Sequence, residues 1–509
     1  MQTDHPIRRR QFFRIAGSAG AAAGLAELGF LSLLPPVSAA EAKPDPGRVR
    51  FLPEIEPLVR FIEDTPRERL LEETGARLRR GLAYRDLIAA LLLAGVRNIQ
   101  PRPVGFKFHA VLVINSAHMA SLASPDSERW LPIFWALDYF KVAQAQNAGE
   151  GGWTMGPPPK DSQLPSADRA RQAFVEAMGN WDTEAADAAV VALARSAGAH
   201  EIFTLFCRYG TRDFRDIGHK AIYVANSWRT LQAVGWQHAE PVLRSLAYAL
   251  LDHGDTTENP ARADLAPDRP WRNNIALAAK FPKAWPAGEV RAEASTEMLD
   301  ALRHGDAADA SAKVVALLNA GIAPQSIWDA LFAAAGEILM RSPGIVSLHA
   351  VTSANALHFA FQNCGDDETR RMLLLQNAAF IPLFRGDPKS GGAKIDELEP
   401  VEPAATGAQA VEEIFADIGK DRRTAARKLL AWLRVNPDPK EFTDAARRFV
   451  FLKGSNAHDY KFSAAVLEDF GRISPPWRDR FLAASIFNLR GSTAPDNDLV
   501  RRTRAALAG

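Results

Sequence analysis

The chain is poor in cysteine: Cys207 and Cys364 are the only two in 509 residues. A disulfide framework and the paired-cysteine zinc or iron–sulfur motifs are therefore excluded. It also lacks a charge bias, with 61 Lys and Arg against 60 Asp and Glu, a formal net charge of +1. Such a balance provides no basic face and no acidic tail, so no nucleic-acid partner is expected. Hydrophobic residues make up 47% and charged residues 24%. These ordinary globular values exclude a multi-span membrane protein, a collagen-like chain and global disorder. There is no glycine-rich nucleotide fingerprint after a strand, no P-loop, no HExxH, no GxSxG elbow and no EF-hand loop. Gly149-Glu150-Gly151-Gly152 has no strand before it, so it is no nucleotide loop. The informative abundance is eleven histidines and eleven tryptophans.

Residues 1–42 read as an address. Arg8, Arg9 and Arg10 precede Gln11-Phe12-Phe13-Arg14. The pattern resembles the twin-arginine export signal, with Phe13 and Arg14 as conservative replacements. A weakly apolar Ala/Gly-rich stretch from Ile15 to Leu34 follows and contains Glu27, which suits such a signal and not a permanent membrane span. Small residues allow cleavage after Ala39 or after Ala42, and no cysteine stands at the junction to accept a lipid. The resemblance implies export by the twin-arginine translocase to the periplasm or otherwise out of the cytoplasm. That route carries folded proteins, often with a cofactor already loaded. The mature domain is then 43–509.

From Pro53 onward the pattern is helical. Leu87 to Ala94 and Ala186 to Ala197 are long runs of good helix formers, and alternating β-branched runs bounded by turns are absent. The expected fold is all-α, a single large domain of quasi-repeated helical units. Three stretches read as long loops: 148–165, 252–286 with its five prolines, and 385–407. The chain also repeats itself. Residues 76–118 align without gaps on 316–358, and 13 of the 43 positions are identical: Ala76, Leu78, Gly81, Ala83, Ala90, Leu91, Ala94, Pro103, His109, Ala110, Val111, Asn115 and His118 in the first copy. Each copy reads as a helix, a proline-containing connector and a second helix opening near His109 or His349. Two weaker copies follow the same order, one through Ile202 to His219 and one through Phe442 to His458.

Helix geometry limits which histidines can meet. Residues nine apart differ by about half a turn, so His109 and His118 face opposite sides of one helix, as do His349 and His358. The repeat collects His109, His219, His349 and His458 at equivalent positions, with Lys461 three residues after His458 on the same face. Four histidines in equivalent places point to a shared polar site; any one alone would read as a satisfied core residue. His118 and His358 fall behind that site, as second-rank or alternative ligands, and Asn115 and Asn355 read as bridges between helices.

The stretches Gly218-His219-Lys220-Ala221-Ile222, Leu348-His349-Ala350-Val351-Thr352, Asn115…His118 and His458-Asp459-Tyr460-Lys461 resemble the motifs of the questin oxidase-like family. Its members are largely α-helical and include Baeyer–Villiger-type oxidases of anthraquinone-type polyketides. The resemblance implies a non-heme iron oxygenase. Its Fe(II) would be held by His109, His219, His349, His458 and a carboxylated Lys461, and its substrate would be a polycyclic aromatic or similar small apolar molecule. The export signal and the long loops depart from the fungal pattern. Two other readings remain at this stage: a non-catalytic helical-repeat scaffold for partners outside the cytoplasm, and a hydrolase with paired metals. The hydrolase is disfavoured by the few carboxylates near the histidines.

Overall fold

Long runs such as Leu87 to Val96 are apolar on every side, a pattern that demands burial all round. In the computed structural model, which describes residues 47–385 and 392–509, every residue from Leu87 to Asn98 of the helix Tyr84–Asn98 is indeed buried. The described residues are all-α, with 22 α-helices and no strand. A lone bridge between Glu289 and Ile322 is their only β-type pairing. Residues Val49–Gly509 form one compact body. The twin-arginine segment and its cleavage sites lie outside the described residues. No described helix is long and apolar enough to cross a membrane.

Four helices form a closed ring at the centre. His109–Leu122 packs on His219–Val234, that on Ile345–Asn363, that on Ala457–Asp469, and the last packs back on His109–Leu122. Each has an outer partner that precedes it in the chain: Tyr84–Asn98, Ala199–Gly210, Pro324–Arg341 and Lys440–Lys453 respectively. The fourfold order read from the repeats is thus the architecture, four helix pairs closed into a ring. The outer helices supply the apolar walls. Leu87, Leu91, Ile202, Ile327, Leu331 and Phe442 are all fully buried, and each such side chain contributes about 1.5–3 kcal/mol. That burial offsets the cost of a polar centre.

The loop expected over 252–286 is only partly a loop. It contains the helix Arg269–Ala278 and short helical turns at Ala266–Asp268 and Trp285–Ala287. Pro270 stands in the first helical turn, where its missing N–H costs nothing and its fixed φ favours the helix. The buried face of that helix is Pro270, Asn274 and Ala278, small or polar residues that give no apolar periodicity. Asn274 is satisfied instead by donating to Gln376 Oε1 at 2.7 Å. The segments 150–169 and 392–407 are irregular apart from one short helical turn at Asp161–Gln163, as expected.

Candidate metal centre

Each histidine of the repeat set opens, or stands within the first turns of, one helix of the ring, so all four imidazoles lie at the same end of it. The connectors that deliver them are tightly wound. Before His109 the chain passes through Gly105 (φ 139°) and Phe106 (φ 46°), and before His219 through Asp216, Ile217 and Gly218 (φ 52°, 45° and 82°). A Cβ at Gly105 would press on the imidazole, standing 3.1 Å from His219 Cε1. At Gly218 a Cβ would stand 2.7 Å from the Ser353 Cβ. Only glycine combines this backbone with such close approach.

Backbone carbonyls meet three of the imidazoles, at His109 and His219 from these windings and at His349 from the first turn of its own helix. His109 Nδ1 donates to Phe106 O at 2.8 Å, His349 Nδ1 to Ile345 O at 2.6 Å, and His219 Nδ1 to Asp216 O. A carbonyl can only accept, so each Nδ1 carries the proton and each neutral Nε2 presents a lone pair. The three Nε2 atoms converge. His219 Nε2 lies 3.0 Å from His109 Nε2 and 2.8 Å from His349 Nε2, and the three ligand atoms fall within 4.8 Å of one another. Two lone pairs at such distances repel unless a proton or a cation sits between them. A proton is opposed: burial above all, then Lys461 and the neighbouring imidazoles, hold all three pKa values well below the usual histidine range. Three neutral, buried nitrogen donors with fixed tautomers form a group that could hold a metal ion.

His458 completes the constellation. Its ring centroid is 4.6 Å from that of His109 and 5.2 Å from that of His349. Its Nε2 is buried without a hydrogen-bond partner, and burial together with Lys461 lowers its pKa to about 4. The helix starts there because Asn456 caps it, donation of His458 N to Asn456 Oδ1 measuring 2.9 Å, and Asp459 is clamped by Arg490 at 2.7 Å. Tyr460 stacks on Trp135 at 4.2 Å, which fixes the rotation of the helix between His458 and Lys461. Lys461 is fully buried, its Nζ has no partner, and burial lowers its pKa to about 7. Its charge acts on all four imidazoles.

The residues assigned to the rear lie there. His118 is half-buried, with Nδ1 3.0 Å from the Tyr84 hydroxyl. His358 packs between Trp328 and Phe332 at 4.7 and 5.1 Å between ring centroids. Asn355 bridges helices as expected, donating to Glu468 Oε2 at 2.9 Å and Asp469 Oδ1 at 2.8 Å. Asn115 does not: its amide reaches only Met119 Sδ, 3.4 Å away on its own helix. The neighbouring ring helix presents Asn226 instead, which donates to Leu112 O at 3.0 Å. One residue of extra spacing, seven after His219 rather than six, hides Asn226 from an ungapped comparison.

Sequence reasoning also missed the support beneath His219. Lys220 Nζ, fully buried, donates to Asp213 Oδ2 at 2.8 Å and to Asp252 O at 2.6 Å. Arg215 forks onto Asp268 at 2.6 and 2.8 Å. Burial alone would raise the Asp213 carboxyl, but Lys220, Arg215 and Arg212 outweigh it and hold it below its usual value. This ionised network clamps the 213–220 turn that aims the Asp216 carbonyl at His219. Asp213, Arg215 and Lys220 are close in sequence, but their partners Asp252 and Asp268 lie 32 and 53 residues away, so no short-range motif announces the whole network.

No family model matches this chain, and no curated protein or solved structure matches it either.

Proposed function

We propose that the protein is a metal-dependent oxidoreductase, a non-heme iron oxygenase acting on a small apolar or aromatic substrate. The observation that carries the metal is the convergence of three Nε2 lone pairs, each fixed by an Nδ1 bond to a backbone carbonyl. His109, His219 and His349 would hold the ion, with His458 and Lys461 completing the donor set. Neutral imidazoles suit Fe(II) among other divalent metals, and a carboxylated Lys461 would add the anionic oxygen that the group otherwise lacks. Fe(II) is favoured by the likeness to the questin oxidase-like motifs. Bound iron would supply one-electron and dioxygen chemistry. The protein holds the imidazoles in one tautomer, keeps them neutral and excludes bulk water.

The scaffold reading fares worse, since a binding groove has no use for four buried imidazoles drawn to one point. Localisation outside the cytoplasm belongs to the same proposal. The sequence of 1–42 supports it, and cytoplasmic loading before transport would favour iron over the tighter-binding Cu(II) and Zn(II). The deciding experiment is metal analysis of the protein exported by its native host. One iron per chain is expected. Protein recovered folded with no metal, and taking up none when Fe(II) is added anaerobically, would refute the reading.

A further inference from the structure

Trp135 and Tyr139 stand four residues apart on the helix Leu131–Gly149, so their rings share one face of it. They stack at 5.0 Å between centroids, with 20° between their planes. Trp135 also stacks on Tyr460, at 4.2 Å and 24°. Tyr460 belongs to the ring helix Ala457–Asp469, one residue before Lys461 and two after His458. Three rings therefore run face to face from the metal group outward. Tyr460 and Trp135 are buried, and Tyr139 at the outer end is half-buried.

Packing alone does not account for this row. Aromatic neighbours elsewhere near the site meet edge-on, as Phe108 meets Tyr223 at 74° and Phe332 meets His358 at 81°. The Tyr460 hydroxyl is buried without a hydrogen-bond partner. That is a cost phenylalanine would avoid while filling the same space. What a phenol or an indole has and a phenyl lacks is a ring that readily gives up one electron. The other Tyr–Trp stack, Trp153 on Tyr248 at 6.0 Å, holds only two rings.

We propose that Tyr460, Trp135 and Tyr139 form a one-electron path between the metal group and the surface, along which electrons move inward from Tyr139 when the iron is oxidised with no substrate in place. The inference rests on the proposed function, whose metal supplies one-electron chemistry. Tyr460 passes the oxidising equivalent on, because its hydroxyl has no acceptor for the proton that an oxidised phenol sheds. Half-buried Tyr139 sheds its proton to solvent, so the equivalent ends there. With hydrogen peroxide as oxidant, the two electrons that form two waters come one from Fe(II) and one from Tyr139. Tyr139 gives one of the two protons and solvent the other. The path spares the imidazoles from oxidation.

The test uses the full-length chain loaded anaerobically with Fe(II), its iron content measured on each sample, then mixed with hydrogen peroxide and freeze-quenched. Electron paramagnetic resonance should show a tyrosyl radical, its signal narrowed when the tyrosine rings carry deuterium. Tyr139→Phe should lose the signal. Trp135→Phe should lose it at unchanged iron content, and Trp135→Tyr, which restores an oxidisable ring, should keep it. Tyr460→Phe, which removes only the hydroxyl, should lose it too, and Tyr248→Phe, outside the path, should match wild type. A role in packing alone predicts no difference between Trp135→Phe and Trp135→Tyr. Iron-loaded wild type without a tyrosyl signal, or an undiminished signal from Tyr139→Phe or Trp135→Phe, overturns this inference and leaves the metal reading intact. A chain that takes up no iron overturns the metal reading and this inference with it.

Discussion

Replacing His349 with alanine separates metal binding from packing. The ring is fully buried, with Nδ1 bonded to Ile345 O at 2.6 Å and Nε2 2.8 Å from His219 Nε2. Two costs follow. Truncation leaves a cavity, worth about 2–5 kcal/mol by comparison with other large-to-small core changes. The second cost is lost linkage: a metal present at a thousand times its Kd stabilises the native state by about 4 kcal/mol, and a chain without the site forfeits that. His358→Ala suffers only the first cost, since its ring is packed between Trp328 and Phe332. Both variants therefore melt lower, and the fall in Tm alone does not tell them apart. Chelator does. Wild type and His358→Ala should lose further stability when a chelator is added, and His349→Ala should have nothing left to lose. Metal analysis should find His349→Ala without stoichiometric metal, and His358→Ala loaded with affinity weakened at most about 10–100-fold. His109→Ala and His118→Ala should show the same contrast. Stoichiometric metal in His109→Ala and His349→Ala, with none in His118→Ala and His358→Ala, would mean that the ligands lie on the other helix faces.

Three further outcomes are expected. Burial, aided by Arg472 and Arg229, lowers the pKa of His358 to about 3, below the unfolded value near 6.5; the unfolded chain takes the proton first, so there is no penalty above pH 6.5 and it grows as pH falls from there towards 3. By pH 4.5 it should reach roughly 3 kcal/mol, and urea unfolding of chelated protein should show His358→Phe losing less stability than wild type between pH 7 and 4.5; identical losses would refute this. Asp213→Asn should leave Lys220 as an unmatched buried charge, destabilise the chain, and weaken metal binding about 10–100-fold through the turn that orients His219; adding Lys220→Met should recover stability, and unchanged metal affinity in Asp213→Asn would remove the network from the site. Arg9→Lys with Arg10→Lys should strand the protein in the cytoplasm, as fractionation and blotting would read; normal export of the double variant would end the twin-arginine proposal.

The helical class, the fourfold order and the identity of the converging side chains were legible in the sequence alone. Their physical basis is local: good helix formers run between turn residues, and a duplicated unit carries its histidine at a fixed offset from its helix start. The half-turn separation over nine residues is a property of any α-helix, and the equivalent places of His219 and His458 in the repeat set His109 before His118 and His349 before His358 without tertiary information. What the tertiary structure decided was which lone pairs meet. The tautomers of His109 and His219 depend on carbonyls aimed by left-handed turns, that of His349 on a carbonyl of its own helix, and the turn at His219 depends on Asp213 pairing with Lys220 and on Arg215 pairing with Asp268. The helix Arg269–Ala278 escaped notice because its buried face is Pro270, Asn274 and Ala278, satisfied across the fold by Gln376. Asn115 and Asn355 occupy the same place in the repeat, yet only Asn355 finds carboxylates, because Glu468 and Asp469 end the helix beside it. Local pattern determines where a side chain starts; which partner it reaches is set by the helix packed against it, and that is information the repeat does not carry.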